Sequence, residues 1–88
     1  MIRKKITIQN KLGLHARPCS LLVKTVNKFR SDVKIQKDDM LVNGKSIMGV
    51  MMLAAEHNSE IELIIDGVDE EDTLDAVVDL FNSKFDEE

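Results

Sequence analysis

The chain has 88 residues, 43% hydrophobic and 32% charged, with a formal net charge of −4. That length suits one domain around a modest core and leaves no room for a deep cleft that encloses a substrate. One cysteine, three aromatic residues and no signal-like or membrane-length apolar run argue against a disulfide scaffold, a base-stacking platform or membrane insertion, and a cytoplasmic protein is expected.

In chain order, residues 4–9 alternate around Ile6 and Ile8 and predict a strand. Asn10-Lys11-Leu12-Gly13-Leu14 reads as a turn, with Gly13 supplying backbone freedom. Pro18 suits the first turn of a helix, and Cys19, Leu22, Val23 and Val26 follow at helical spacing, so a helix is expected over residues 16–27. Residues 33–36 and 40–42 read as two short strands around a Lys37-Asp38-Asp39 turn. Asn43-Gly44-Lys45 breaks the chain, and Ser46 can cap a short helix over residues 47–53. Asn58 tolerates a left-handed turn before a strand at residues 60–65. Asp69 is placed to cap a last helix that has Glu70, Glu71 and Asp72 in its first turn and one stripe of Leu74, Val77, Val78, Phe81 and Phe85. The acidic end at residues 86–88 is expected to fray. The order βαββαβα in so short a chain implies a two-layer α+β sandwich with helices on one face of a mainly antiparallel sheet.

Four neighbouring residues supply the parts of a phosphoryl-accepting site. His15 stands just before a proline-initiated helix, whose first N–H groups have no partner inside the helix and carry partial positive charge. A phosphoryl group on the imidazole would meet those donors, and Arg17 can add a guanidinium to its oxygens. A lone histidine before a helix also reads simply as a loop residue. Ser46 likewise reads two ways, as an ordinary cap or as a phosphorylation site. Ile47, Met48, Val50, Met51 and Met52 are either core filler or an adaptable docking patch. Cys19 reads as a core cysteine and His57 as a solvated turn residue, and with His15 they fall short of a zinc set. Residues 1–50 carry 11 Lys/Arg against 3 Asp/Glu and residues 51–88 carry 1 against 13, a polarity suited to acidic or phosphorylated partners rather than nucleic acid.

The runs Gly13-Leu14-His15-Ala16-Arg17-Pro18 and Lys45-Ser46-Ile47-Met48-Gly49-Val50-Met51 resemble the HPr family, the histidine-containing phosphocarriers of the phosphoenolpyruvate-dependent sugar phosphotransferase system. The resemblance covers essentially the whole chain. It implies a single HPr domain over residues 1–88, folded as an open-faced β-sandwich of four antiparallel strands with three helices on one face. It also implies a carrier rather than an enzyme, without cofactor or metal. His15 would be phosphorylated on Nδ1 by phospho-enzyme I, Arg17 would neutralise the phosphate, and the group would pass to an enzyme IIA domain of sugar uptake. Ser46 would be the regulatory site of an HPr kinase/phosphorylase, and transcriptional regulators are further partners. Ser20, Lys24, Ile47, Met48, Gly49 and Met51 would form the docking surface. The alternative is a mainly regulatory module controlled through Ser46 in carbon or nitrogen regulation. Cys19, Ser20, Gly44 and the pair His57-Asn58 depart from the family's usual residues.

Overall fold

A computed structural model describes residues 1–86. Its elements run β1 (Ile2–Thr7), α1 (Ala16–Val26), β2 (Asp32–Lys37), β3 (Met40–Asn43), α2 (Ile47–Met52), β4 (Glu60–Asp66) and α3 (Glu70–Asn82), followed by a short turn at Lys84–Asp86. The expectation of fraying at Glu87 and Glu88 lies outside the described residues.

The strands form one sheet in the order β1-β4-β2-β3, with every neighbouring pair antiparallel. Period-two alternation decides which face is covered. Val33 and Ile35 on β2 and Ile61, Leu63 and Ile65 on β4 are buried, and their register sets them side by side, Val33 against Ile65 and Ile35 against Leu63. The helices cover this face, with Leu22, Val23 and Val26 of α1, Val50 of α2, and Val77 and Phe81 of α3 joining the same cluster. The other face is open, and Arg3, Lys5 and Lys34 on it are exposed. This is the two-layer α+β sandwich that the element order implies, open-faced as the resemblance implies.

Element edges differ from expectation where local polar groups decide them. β1 starts two residues early and stops at Thr7, because beyond it Ile8 pairs with the 58–59 turn instead: its N–H donates to Ser59 and its carbonyl accepts from Asn58. Asp69 precedes α3, yet its side chain makes no cap hydrogen bond. It accepts instead from the Arg30 N–H, the Ser31 N–H and the Ser31 hydroxyl, the first two at 2.9 Å, tying the α1–β2 loop to the start of α3. The apolar stripe of α3 also stops short of Phe85, since the helix ends at Asn82. Phe85 is fully buried from a turn in which Lys84, Phe85 and Asp86 all have φ between 54° and 60°.

Candidate functional site

His15 is the N-cap of α1, with extended backbone (φ −81°, ψ −171°), and its carbonyl accepts the helix's first hydrogen bond from the Cys19 N–H at 3.1 Å. Pro18, buried, fills the first turn without an N–H to satisfy. No acidic residue occupies that turn, so the helix's own first turn leaves the positive end of its dipole beside the imidazole unopposed. His15 itself is half-buried.

The loop that carries His15 is fixed from behind. The Leu14 N–H donates to the Ala55 carbonyl at 2.8 Å, and the Asn10 side chain donates to the Gly13 carbonyl at 2.6 Å. Gly13 has φ +69°, and a Cβ on it would stand 2.4 Å from the Ala55 oxygen, so only glycine fits. Cys19 closes the back of the site, fully buried, its thiol donating to the Leu14 carbonyl at 3.2 Å. Burial pushes that thiol up to about 11, which keeps it a neutral packing group.

Arg17 is exposed on the first turn of α1, and its Nη1 donates to the Phe85 carbonyl at 2.9 Å. The terminal turn is thus brought to the site, a long-range contact that no sequence pattern signals.

Ser46 caps α2, its hydroxyl accepting from the Gly49 N–H at 3.2 Å. It sits at the far end of α1: the Asn27 side chain donates to the Lys45 carbonyl at 3.2 Å, and Lys45 Nζ donates to the Phe29 carbonyl at 2.9 Å. The 11 residues of α1 put His15 and Ser46 about 16 Å apart along the helix axis. From Ser46, α2 runs back towards His15, since Ala54 and Ala55, just past its end, line the same depression as His15. Ile47, Met48, Met51 and Met52 are all exposed between the two sites, Met48 at 74%. The core-filler reading is therefore wrong for all three of these methionines; Val50 alone of the segment's apolar residues is buried, because a six-residue helix has one inward face. Gly49 and Ser20 are half-buried and Lys24 is exposed. Gly44 also has a packing reason: it is buried, and a Cβ there would stand 2.7 Å from a Val33 methyl.

His15 shares an open depression of about 590 Å³ with Lys11, Leu12, Leu14, Ala54, Ala55, Glu56 and His57. Reading His57 as a solvated turn residue is right about its exposure but misses this neighbour. Among the described residues no three His, Cys, Asp or Glu side chains could hold a metal ion, and no helix is long and apolar enough to cross a membrane.

The family model for the PTS HPr component phosphorylation site matches residues 2–83. The chain belongs to the HPr family. It is 49% identical over 87 residues to the phosphocarrier protein HPr of Neisseria meningitidis, covering 99% of this chain and 98% of that one. The crystal structure of HPr-C-His from Thermoanaerobacter tengcongensis superposes with a TM-score of 0.96 at 48% identity, covering 100% of this chain and 99% of that one. The HPr-like protein Crh of Bacillus subtilis, a catabolite-repression HPr, is 45% identical over 77 residues, 88% of this chain and 91% of Crh. The HPr family thus supplies the phosphocarrier role in the phosphotransferase system, and the sequence resemblance to it holds over the whole fold.

Proposed function

We propose that His15 is the phosphoryl acceptor of a carrier that takes the group from phospho-enzyme I and delivers it to enzyme IIA domains of sugar uptake. The observation that supports this most is the place of His15 as the N-cap of α1, with no acid in the first turn and Arg17 on the same turn. A ring nitrogen of His15 attacks phosphorus, the N–P bond forms, and the bond between phosphorus and the donor's carrier atom breaks. Oxygen charge then builds beside the helix end, already in position, and Arg17 on the same turn swings its guanidinium to it. Delivery reverses the step onto the acceptor, so the chain is a stoichiometric intermediate in the cytoplasm rather than an enzyme with turnover of its own.

Ile47, Met48, Gly49 and Met51, with Ser20 and Lys24, form the docking surface for both partners. Short-lived complexes are expected of a carrier that must leave. Ser46 is the regulatory site for an HPr kinase/phosphorylase. A phosphate there would be tolerated by the α2 cap and would place charge beside the apolar patch, opposing docking while standing too far from His15 to touch its phosphoryl group. Likeness to Crh favours a second reading, in which Ser46 phosphorylation and binding to transcriptional regulators are the main role.

Mixing the protein with labelled phosphoenolpyruvate, enzyme I and an enzyme IIA domain tests the carrier reading. Label should reach the IIA domain only when this chain is present. Label that stays on the chain would leave the regulatory reading in place of transport.

A further inference from the structure

Sulfur in this chain is split between one thiol inside and five thioethers outside. Met1, Met40, Met48, Met51 and Met52 are all exposed, from 42% at Met40 to 74% at Met48, although methionine commonly serves to fill gaps in a core. Cys19 is the reverse, fully buried, with its thiol donating to the Leu14 carbonyl and kept protonated by that burial. Thiols react with oxidants as thiolates, so Cys19 is a poor target. A thioether has no proton to lose, and access alone governs its reaction. The chain has no Trp or Tyr either, so a two-electron oxidant meets the methionines first.

Three of the five methionines lie on α2. Met48 and Met52 stand one turn apart and exposed, with Met51 also exposed, while the inward residue, Val50, carries no sulfur. We propose that Met48, with Met51 and Met52, is a reversible oxidation site through which a peroxide weakens docking and leaves the fold intact. The proposal rests on the reading of α2 as a docking surface and adds a control to it. The thioether sulfur attacks one oxygen of hydrogen peroxide, the S–O bond forms and the O–O bond breaks. Sulfur gives up two electrons, and the departing hydroxide takes the proton and leaves as water. A methionine sulfoxide reductase reverses the change: two thiols supply the electron pair and close to a disulfide, and the oxygen leaves as water. The sulfoxide is polar, and a partner that covers Met48 has to desolvate it. The core is spared, because the only sulfur in the buried cluster is that of Cys19.

For the test, the chain is treated with hydrogen peroxide, catalase removes the excess, and His15 labelling is followed against phospho-enzyme I concentration. Mass spectrometry should find added oxygen on Met48 and none on Cys19. The donor KM should rise roughly tenfold with the urea midpoint unchanged, and the reductase should restore it. Met48→Leu, Met51→Leu and Met52→Leu combined, compared with its own untreated sample, should not respond to peroxide, whereas Met40→Leu should respond as the wild type does. Oxygen on Cys19 ahead of Met48, an oxidised Met48 with unchanged KM, a fallen urea midpoint, a KM that the reductase does not restore, or a triple variant that still responds would each overturn the proposal. Untreated Met48→Gln separates this proposal from the reading beneath it. It should raise the donor KM; a wild-type value would show that Met48 does not dock the donor, and the docking reading would fall with the proposal.

Discussion

Arg17 and Phe85, 68 positions apart, are joined by a hydrogen bond of 2.9 Å from the guanidinium to the backbone carbonyl. The carbonyl is available there because Lys84, Phe85 and Asp86 adopt three successive left-handed conformations, φ 54°, 55° and 60°. Each costs an L-residue roughly 1–2 kcal/mol. What offsets that cost is the Phe85 ring, fully buried and packed edge-on against Phe81 with centroids 4.9 Å apart. Phe85→Ala should therefore destabilise the fold by about 3 kcal/mol and displace the carbonyl to which the guanidinium donates. A urea titration reads the first effect; an unchanged midpoint would show that the ring does not hold the turn.

Gly13 meets Ala55 at the point where the His15 loop is pinned. Gly13→Ala combines a backbone that L-residues avoid with a Cβ placed 2.4 Å from a carbonyl oxygen. A loss of more than about 2 kcal/mol is expected, with slower labelling of His15 in the fraction that folds. Denaturation and labelling measured on the same preparation check both, and wild-type labelling would mean that this contact does not set the loop.

Asp69 gives the fold an acid-sensitive joint. Its carboxyl is lowered from 3.8 to about 2, first by the hydrogen bond from Ser31 and then by the Arg30 N–H. A carboxyl lowered in the folded state stabilises it fully above its unfolded value, so the contribution is present above about pH 4 and is lost as pH falls towards 2. Urea midpoints should decline over that window, and more gently in Asp69→Asn. Parallel declines would place the acid sensitivity elsewhere.

Substitutions at Ser46 should separate its cap from its charge. Ser46→Ala loses the acceptor for the Gly49 N–H and should cost about 1 kcal/mol of stability while still docking enzyme I. Ser46→Asp keeps a good N-cap residue, so it should remain folded and yet bind enzyme I more weakly, because the added charge lies beside exposed Ile47 and Met48. Equal affinity of the two variants would contradict a regulatory role through charge.

Local patterns made most of the fold legible. Alternation in β4 and helical spacing in α1 placed their buried residues, and Pro18 marked the helix that His15 precedes. What stayed hidden depends on side chains reaching across the fold. Asp69 has a helix-capping position and residue type, but the nearby Ser31 and Arg30 N–H groups outcompete the helix for it. Phe85 continues the α3 stripe in sequence, yet it is buried by a reversal of backbone hand that no periodicity records. Met48, Met51 and Met52 cannot be assigned to core or surface by composition; the length of α2 decides it. The placement of His57 beside His15 depends on hydrogen bonds from Ile8 and Leu14 to a segment about 40 to 50 residues away.

Site mapping of the phosphoryl group bears most directly on the central claim. The protein is incubated with phosphoenolpyruvate and enzyme I, and the modified residue is identified by mass spectrometry and by 31P NMR before and after acid treatment. The expected result is one acid-labile phosphate on His15, absent in His15→Ala and formed much more slowly in Arg17→Ala. An acid-labile phosphate that persists in folded His15→Ala, or no labelling of the wild-type chain, would contradict it.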